Sequence, residues 1–160
     1  MAAVAYFLKI DGIQGESKDA KHPGEIELES FSWGETEVVG AGGGGDGGAG
    51  KVQIEDLHVV MKESKASPQL FLACASGQHL KSAVLTGRRN GKAPVEFLQI
   101  TLTDVVVTGY RTGGGTDAAP DDQVSLNFAK IQFAFTPQKP DGSPDVPVKA
   151  GWDVKRNVKI

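Results

Sequence analysis

Val124-Ser125-Leu126-Asn127-Phe128-Ala129-Lys130-Ile131-Gln132-Phe133-Ala134-Phe135 alternates apolar residues with others, and halfway along it the apolar set changes phase. Val124, Leu126 and Phe128 share one parity, whereas Ile131, Phe133 and Phe135 share the other. Successive side chains leave a strand on opposite sides, so alternation of this kind marks a strand with one buried face. A one-residue change of phase is what a β-bulge produces, and it turns the buried face over.

The same change recurs twice upstream. In Glu25 to Trp33 the apolar positions pass from Ile26 and Leu28 to Phe31 and Trp33, and in Lys51 to Met61 from Val52 and Ile54 to Leu57, Val59 and Met61. Three long strands that bend and trade faces are how a sheet closes into a barrel or turns the corner of an orthogonal sandwich. A first strand places Val4, Tyr6, Leu8 and Ile10 on one face and Ala5, Phe7 and Lys9 on the other, with Phe7 out of keeping on the more polar side. Asn90-Gly91, between Ser82–Arg89 and Lys92–Tyr110, suits a type I′ hairpin, which puts Pro94 at a strand start or edge.

One helix has clear punctuation. Ser67 reads as its N-cap, Pro68 as its first residue and Gly77 as its stop, with Leu70, Phe71 and Cys74 on the buried stripe. Thr112 to Asp122 and Pro137 to Pro147 read as surface connections. The expected fold class is therefore all-β with one short helix: about eight strands forming a β barrel of two bent sheets flanked by that helix, in one domain spanning residues 1–160.

Composition narrows the function. The 160 residues suffice for a core without metal or disulfide. The 17 basic against 20 acidic residues leave a net charge of −3, short of the basic excess that nucleic acid demands. The one cysteine, Cys74, allows no internal disulfide and suits a reducing cytoplasm, where it reads as a small buried hydrophobe. The apolar run Ala2 to Leu8 has no leading basic cluster and is closed by Lys9 and Asp11, so it reads as a strand, not a signal peptide or membrane helix.

The most chemical-looking stretch is Gly40 to Gly50. Gly45 to Lys51 spells G-x-x-x-x-G-K, and Gly42, Gly44 and Gly47 satisfy G-x-G-x-x-G. A phosphate loop needs a hydroxyl after the lysine and a helix whose N-terminus meets the phosphates. Val52 stands where the hydroxyl is needed, and a strand follows. Eight glycines in eleven residues produce such spacings by chance. The segment reads as an assembly loop and not a phosphate loop: a flexible connection between two strands, unordered alone because glycine loses so much entropy on ordering, and able to be ordered by a partner. His22, His58 and His79 stand apart from other ligands at metal spacing and read as surface or satisfied core residues. Glu25, Glu27 and Glu29 read as the solvated or partner-facing side of a strand, and Ser17 lacks a nucleophile elbow. No catalytic residue, cofactor or metal ligand is assigned.

Taken in order, several segments carry a resemblance: Ile10-Asp11-Gly12-Ile13-Gln14-Gly15-Glu16-Ser17 with His22, Glu25-Ile26-Glu27-Leu28, and Ser30-Phe31-Ser32-Trp33-Gly34. Further on come Ser67-Pro68-Gln69-Leu70-Phe71, Ala73-Cys74-Ala75-Ser76-Gly77, Ala83-Val84-Leu85-Thr86, Phe133-Ala134-Phe135-Thr136-Pro137-Gln138 and Gly151-Trp152-Asp153. In this order and spacing the chain resembles the haemolysin-coregulated protein (Hcp) family, the tube subunit of the bacterial type VI secretion system. The resemblance implies a homo-hexameric ring with a central channel, rings stacked into a tube, and small effector proteins carried inside. It also implies sheath, baseplate and spike components as partners, no membrane insertion, and export by that machine from the cytoplasm without a signal peptide. Gly34 to Gly50 falls where the family has a projecting loop that contributes to stacking, so the resemblance makes Gly40, Gly45, Asp46, Gly50 and Lys51 the candidate ring-stacking residues. Gln99, Thr101 and Thr103 are candidates for a channel lining. Three other classes compete: a phage-like tail tube protein, a monomeric ligand-binding barrel and, most weakly supported, a phosphate-loop enzyme.

Overall fold

The computed structural model describes residues 3–38 and 51–160, in chain order β1 (Val4–Ile10), β2 (Ile26–Ser32), β3 (Glu35–Glu37), β4 (Val52–Ile54), β5 (Leu57–Lys62), α1 (Ala66–Ser76), β6 (His79–Arg89), β7 (Val95–Gly115), β8 (Ala118–Phe135), β9 (Val148–Asp153) and β10 (Val158–Lys159). β8, the strand with the change of phase, organises the rest. Along one edge it pairs with β7 from Ala118 to Phe135, and along the other it pairs with β5 over Asp121–Leu126 and then with β9 over Lys130–Phe135. The remaining order is β5-β2-β1-β6-β7, and the β7–β8 pairing closes these six strands into a barrel, leaving β9 and β10 as an extension.

The phase changes lie at one level of the barrel. On β8 burial passes from Val124, Leu126 and Phe128 to Ala129 and Ile131, on β7 from Leu98, Ile100 and Leu102 to Val105 and Val107, and on β6 from Leu80 to Ala83 and Leu85. Asp104 of β7 sits at the crossing, between the pairs Thr103–Lys130 and Val105–Phe128, with φ +56°, a left-handed conformation uncommon outside glycine. This is where the sheet folds over. Leu8, Leu57, Met61, Leu70, Leu85, Ile100, Leu102 and Leu126 fill the interior, all essentially inaccessible. The expected change of phase in β2 is present as a register shift between Leu28 and Ser30.

Several local expectations differ from the structure. The change between Ile54 and Leu57 is a strand break: β4 leaves the barrel and pairs with β3 alone. Asn90-Gly91 does not form a type I′ turn, because only Gly91 has φ in the positive range and residues 90–94 separate β6 from β7; Pro94 does stand immediately before the first residue of β7. Thr112 to Asp122 is an extended hairpin closed at Thr116-Asp117, with Gly115 opposite Ala118.

The helix starts at Ala66 with Lys65 at its N-cap position, and Gly77 ends it in the left-handed conformation at φ +65°. Ser67 lies inside the helix, where its hydroxyl donates to the fully buried Asp122. Ala66, Leu70 and Ala73, at helical spacing, form the buried stripe with Ser67. Phe71 is 59% exposed, its ring edge toward Tyr110, and Cys74 is half-buried against the core.

Candidate assembly surfaces

Gly40 to Gly50, with the candidate stacking positions Gly40, Gly45, Asp46 and Gly50, lie outside the described residues, whereas Lys51 is described and exposed. What carries that segment is clear. β3 and β4 form a two-stranded ribbon in the register Glu35–Ile54, Thr36–Gln53 and Glu37–Val52, paired with no other strand among the described residues. Its base is pinned to the barrel: the Trp33 indole N–H donates to the Glu55 carbonyl at 2.9 Å, and the Glu55 N–H donates to the Gly34 carbonyl at 3.0 Å. Lys51 therefore leads into a strand, without the helix N-terminus that a phosphate loop uses.

On the outer surface of β1, Phe7 is almost fully buried although it points away from the core. The His22 ring stacks on it at 4.4 Å, and the Arg88 guanidinium lies 5.0 Å from its ring centre. His22 Nδ1 sits 3.0 Å from Glu25 and Nε2 sits 2.7 Å from Glu96. A carboxylate only accepts, so both contacts are hydrogen bonds when the ring carries a proton on each nitrogen. Arg88 in turn donates to both oxygens of Asp19 at 2.9 Å, which holds the Asp19 carboxyl down at about 2. The segment between β1 and β2 is thereby fastened over the barrel wall. Gly15 is needed there, because a Cβ would stand 2.5 Å from the Glu25 carbonyl oxygen.

Around the helix, Asp122 accepts from Ser67 and, at 3.0 Å, from the Tyr110 hydroxyl, whose pKa is raised by its burial first and by Asp122 second. His58 meets Ser125, and His79 meets Asp104 at 2.8 Å. All three histidines thus have protein partners. Among the described residues no group of histidine, cysteine and carboxylate side chains has metal-site geometry, and no helix is long and apolar enough to cross a membrane. Gln99 and Thr103 are exposed and Thr101 is half-buried on the outward face of β7, where Thr101 lies opposite Gln132 and Thr103 opposite Lys130.

The β8–β9 extension differs from all of this. Ile131, Phe133 and Phe135 on β8 stand opposite Trp152, Ala150 and Val148 on β9, so these six side chains share one face. Phe133 is 41% and Val148 66% exposed. The face borders a groove of about 320 Å³ closed on its far side by Trp33 and Glu35. Among the described residues the buried Trp152 indole N–H finds no acceptor. Alternation marked these residues as apolar, but nothing local in the sequence signalled that this face is left uncovered.

The comparisons with known proteins agree with the fold. The sequence model described as "Type VI secretion system effector, Hcp" matches residues 7–135. The chain is 44% identical to the protein hcp1 of Pseudomonas aeruginosa, over 98% of this chain and 99% of that one. Among solved structures, Hcp1 from Salmonella typhimurium superposes with a TM-score of 0.81 at 34% identity, over 99% of this chain and 100% of that one. A structure described as a type six secretion system protein reaches a TM-score of 0.91 at 25% identity with the same coverage. A closed six-strand barrel with a flanking helix, matched along its whole length by such proteins, places the chain in the Hcp family of type VI secretion proteins, a family of secreted structural components and not of enzymes.

Proposed function

We propose that the chain is the tube subunit of a type VI secretion machine, working as a homo-hexameric ring whose copies stack into a tube. Small effector proteins occupy the channel and are expelled with the tube. The observation that carries this reading is the barrel's division of labour. A closed barrel leaves few sheet edges for assembly, so contacts between copies fall to side-chain faces, the β8–β9 extension and the ribbon. The polar outward positions Gln99, Thr101 and Thr103 of β7 are the candidate channel lining, since a lumen that holds cargo and water favours uncharged polar side chains.

The glycine segment between β3 and β4 is the candidate stacking element, with Lys51 at its exit. Sheath, baseplate and spike components are the further partners. The protein is held in the cytoplasm before assembly and leaves through the machine itself.

Negative-stain microscopy and sedimentation velocity of the purified chain test the reading together. Six-fold rings with a central hole are expected. Monomer at every concentration, with no rings on the grid, overturns it in favour of a monomeric binding barrel. For the stacking element, hydrogen exchange at residues 40–50 is expected to slow on passing from single rings to tubes, and equal rates in both remove the role assigned to it.

A further inference from the structure

Asn90-Gly91 is left unexplained by the fold, since it does not form the hairpin turn that its sequence suits. It stands instead at the start of the connection 90–94, between the last residue of β6 and the first of β7. That dipeptide carries a chemistry of its own. The side-chain carboxamide of an asparagine can be attacked by the backbone nitrogen of the residue that follows, and the side chain of that next residue is the main obstruction. Glycine has none, and nothing lies within 4 Å of the position that a Cβ on Gly91 would take.

Three features of the structure favour the attack. Gly91 is exposed, and among the described residues nothing accepts a hydrogen bond from its N–H, so the nucleophile is open to water. The Arg88 Nε–H donates to Asn90 Oδ1 at 3.2 Å, which polarises the carboxamide and stabilises the charge that gathers on that oxygen as a new bond forms. The Asn90 N–H is anchored on the Ala3 carbonyl at 3.0 Å, which keeps the residue beside Arg88. The other two asparagines are placed differently. Asn127 lies within β8, gives its amide to Asp56 at 2.9 Å and precedes the bulky Phe128, while Asn157 precedes the β-branched Val158.

We propose that Asn90 is a site of spontaneous deamidation, which converts the carboxamide beside Arg88 into a carboxylate. The Gly91 nitrogen gives up its proton to hydroxide and bonds to Asn90 Cγ, the Cγ–Nδ2 bond breaks, and ammonia leaves behind a five-membered imide. Water then opens that ring at either carbonyl, giving aspartate or isoaspartate at position 90. Each conversion consumes one water and releases one ammonia, and no oxidant or reductant takes part.

The product changes the cluster around Phe7. Arg88 already holds Asp19 through its two terminal nitrogens and stands across the ladder from Glu96, which itself meets His22. A further carboxylate is thus added to Asp19, Glu25 and Glu96. Sharing Arg88 weakens its hold on Asp19, whose carboxyl then rises from about 2 toward its ordinary 3.8. In isoaspartate the main chain also runs through the former side-chain carbon, which displaces the connection 90–94 from its anchor on Ala3. The fastening of the segment between β1 and β2 therefore loosens as the protein ages.

The test ages the purified chain at mildly alkaline and mildly acid pH and cleaves it after glutamate, which separates residues 64–96, holding Asn90, from residues 97–160, holding Asn127 and Asn157. Mass spectrometry reads the conversion of amide to acid in each, and electron-transfer fragmentation distinguishes isoaspartate from aspartate. Conversion in 64–96 is expected to run about ten-fold faster than in 97–160, faster at the alkaline pH, and to yield both products. Asn90→Gln, whose longer side chain disfavours the five-membered closure, is expected to leave the mass of 64–96 unchanged, and Arg88→Gln to slow the conversion about three-fold. Equal conversion in the two fragments, a mass gain that persists in Asn90→Gln, or product without isoaspartate overturns the proposal. A rate unmoved by Arg88→Gln removes the part given to that residue. Asn90→Asp, which carries the product's charge, is expected to raise the Asp19 titration read by carbon-detected NMR, and an unmoved titration overturns the loosening.

Discussion

Phe7 and Phe133 exchange the environments that alternation gives them. Phe7 lies on the more polar face of β1 and is nearly inaccessible, whereas Phe133 lies on the apolar face of β8 and is 41% exposed. Around Phe7 a stacked imidazole, a guanidinium and three carboxylates close the surface from within the same chain, with Glu25 and Glu96 on the two imidazole nitrogens and Asp19 on the guanidinium. Around Phe133 the indole N–H lacks an acceptor and a groove stays open. The lesson is that alternation tells which face of a strand is apolar, while coverage depends on what the rest of the chain lays over it. One region is finished inside the subunit, and the other stays partly open to water.

Truncating each phenylalanine is the most direct way to break this comparison. Phe7→Ala is expected to lower the stability of the subunit by about 3 kcal/mol, the low end for deleting a buried aromatic side chain. Phe133→Ala is expected to cost the subunit about 1 kcal/mol, since much of that ring is already in water. Urea denaturation of both variants checks the pair. Equal losses would mean that the two regions are covered alike.

A smaller effect separates the charged groups. Because the Asp19 carboxyl is held at about 2, below its ordinary value of 3.8, its pairing with Arg88 stabilises the fold fully above that ordinary value. The contribution is lost as the pH falls from there through about 2. Arg88→Gln is expected to return the Asp19 carboxyl toward 3.8 and to flatten the loss of stability between pH 4 and pH 2. Carbon-detected NMR titration of Asp19 reads the first effect and denaturation midpoints across that range read the second. An Asp19 titration unmoved by the substitution would detach it from Arg88.

The smallest effect belongs to the open region. Trp152→Phe removes an N–H that has no acceptor among the described residues, so the stability of the subunit is expected to change by no more than about 0.5 kcal/mol. A large loss of stability in the monomer would show that the indole is already satisfied inside the subunit.

Much of the fold was legible along the chain. The changes of phase at Leu28/Phe31 and Phe128/Ile131, the stop at Gly77 and the strand after Lys51 are written in spacing and in residue conformational preference, which act over a few residues. The site was less legible. Ser67 resembled an N-cap because serine before proline commonly is one, yet the buried Asp122, brought up from β8, takes its hydroxyl. Phe71 resembled a core residue because it is large and apolar, yet the stripe Ala66, Leu70, Ala73 faces the barrel and leaves Phe71 outside. His22, apparently isolated in sequence, meets Glu96, which is 74 residues away.

By itself, then, the sequence determined most of the barrel strands and their apolar parity, the helix at Leu70 and the family, because periodicity and ordered local motifs survive without tertiary context. Only the tertiary structure decided that Phe7 is covered, that β9 replaces β5 along β8, and that Phe133 and Val148 face outward. Those outcomes depend on which distant segments share a strand edge, and a pattern of neighbours along the chain holds no record of it.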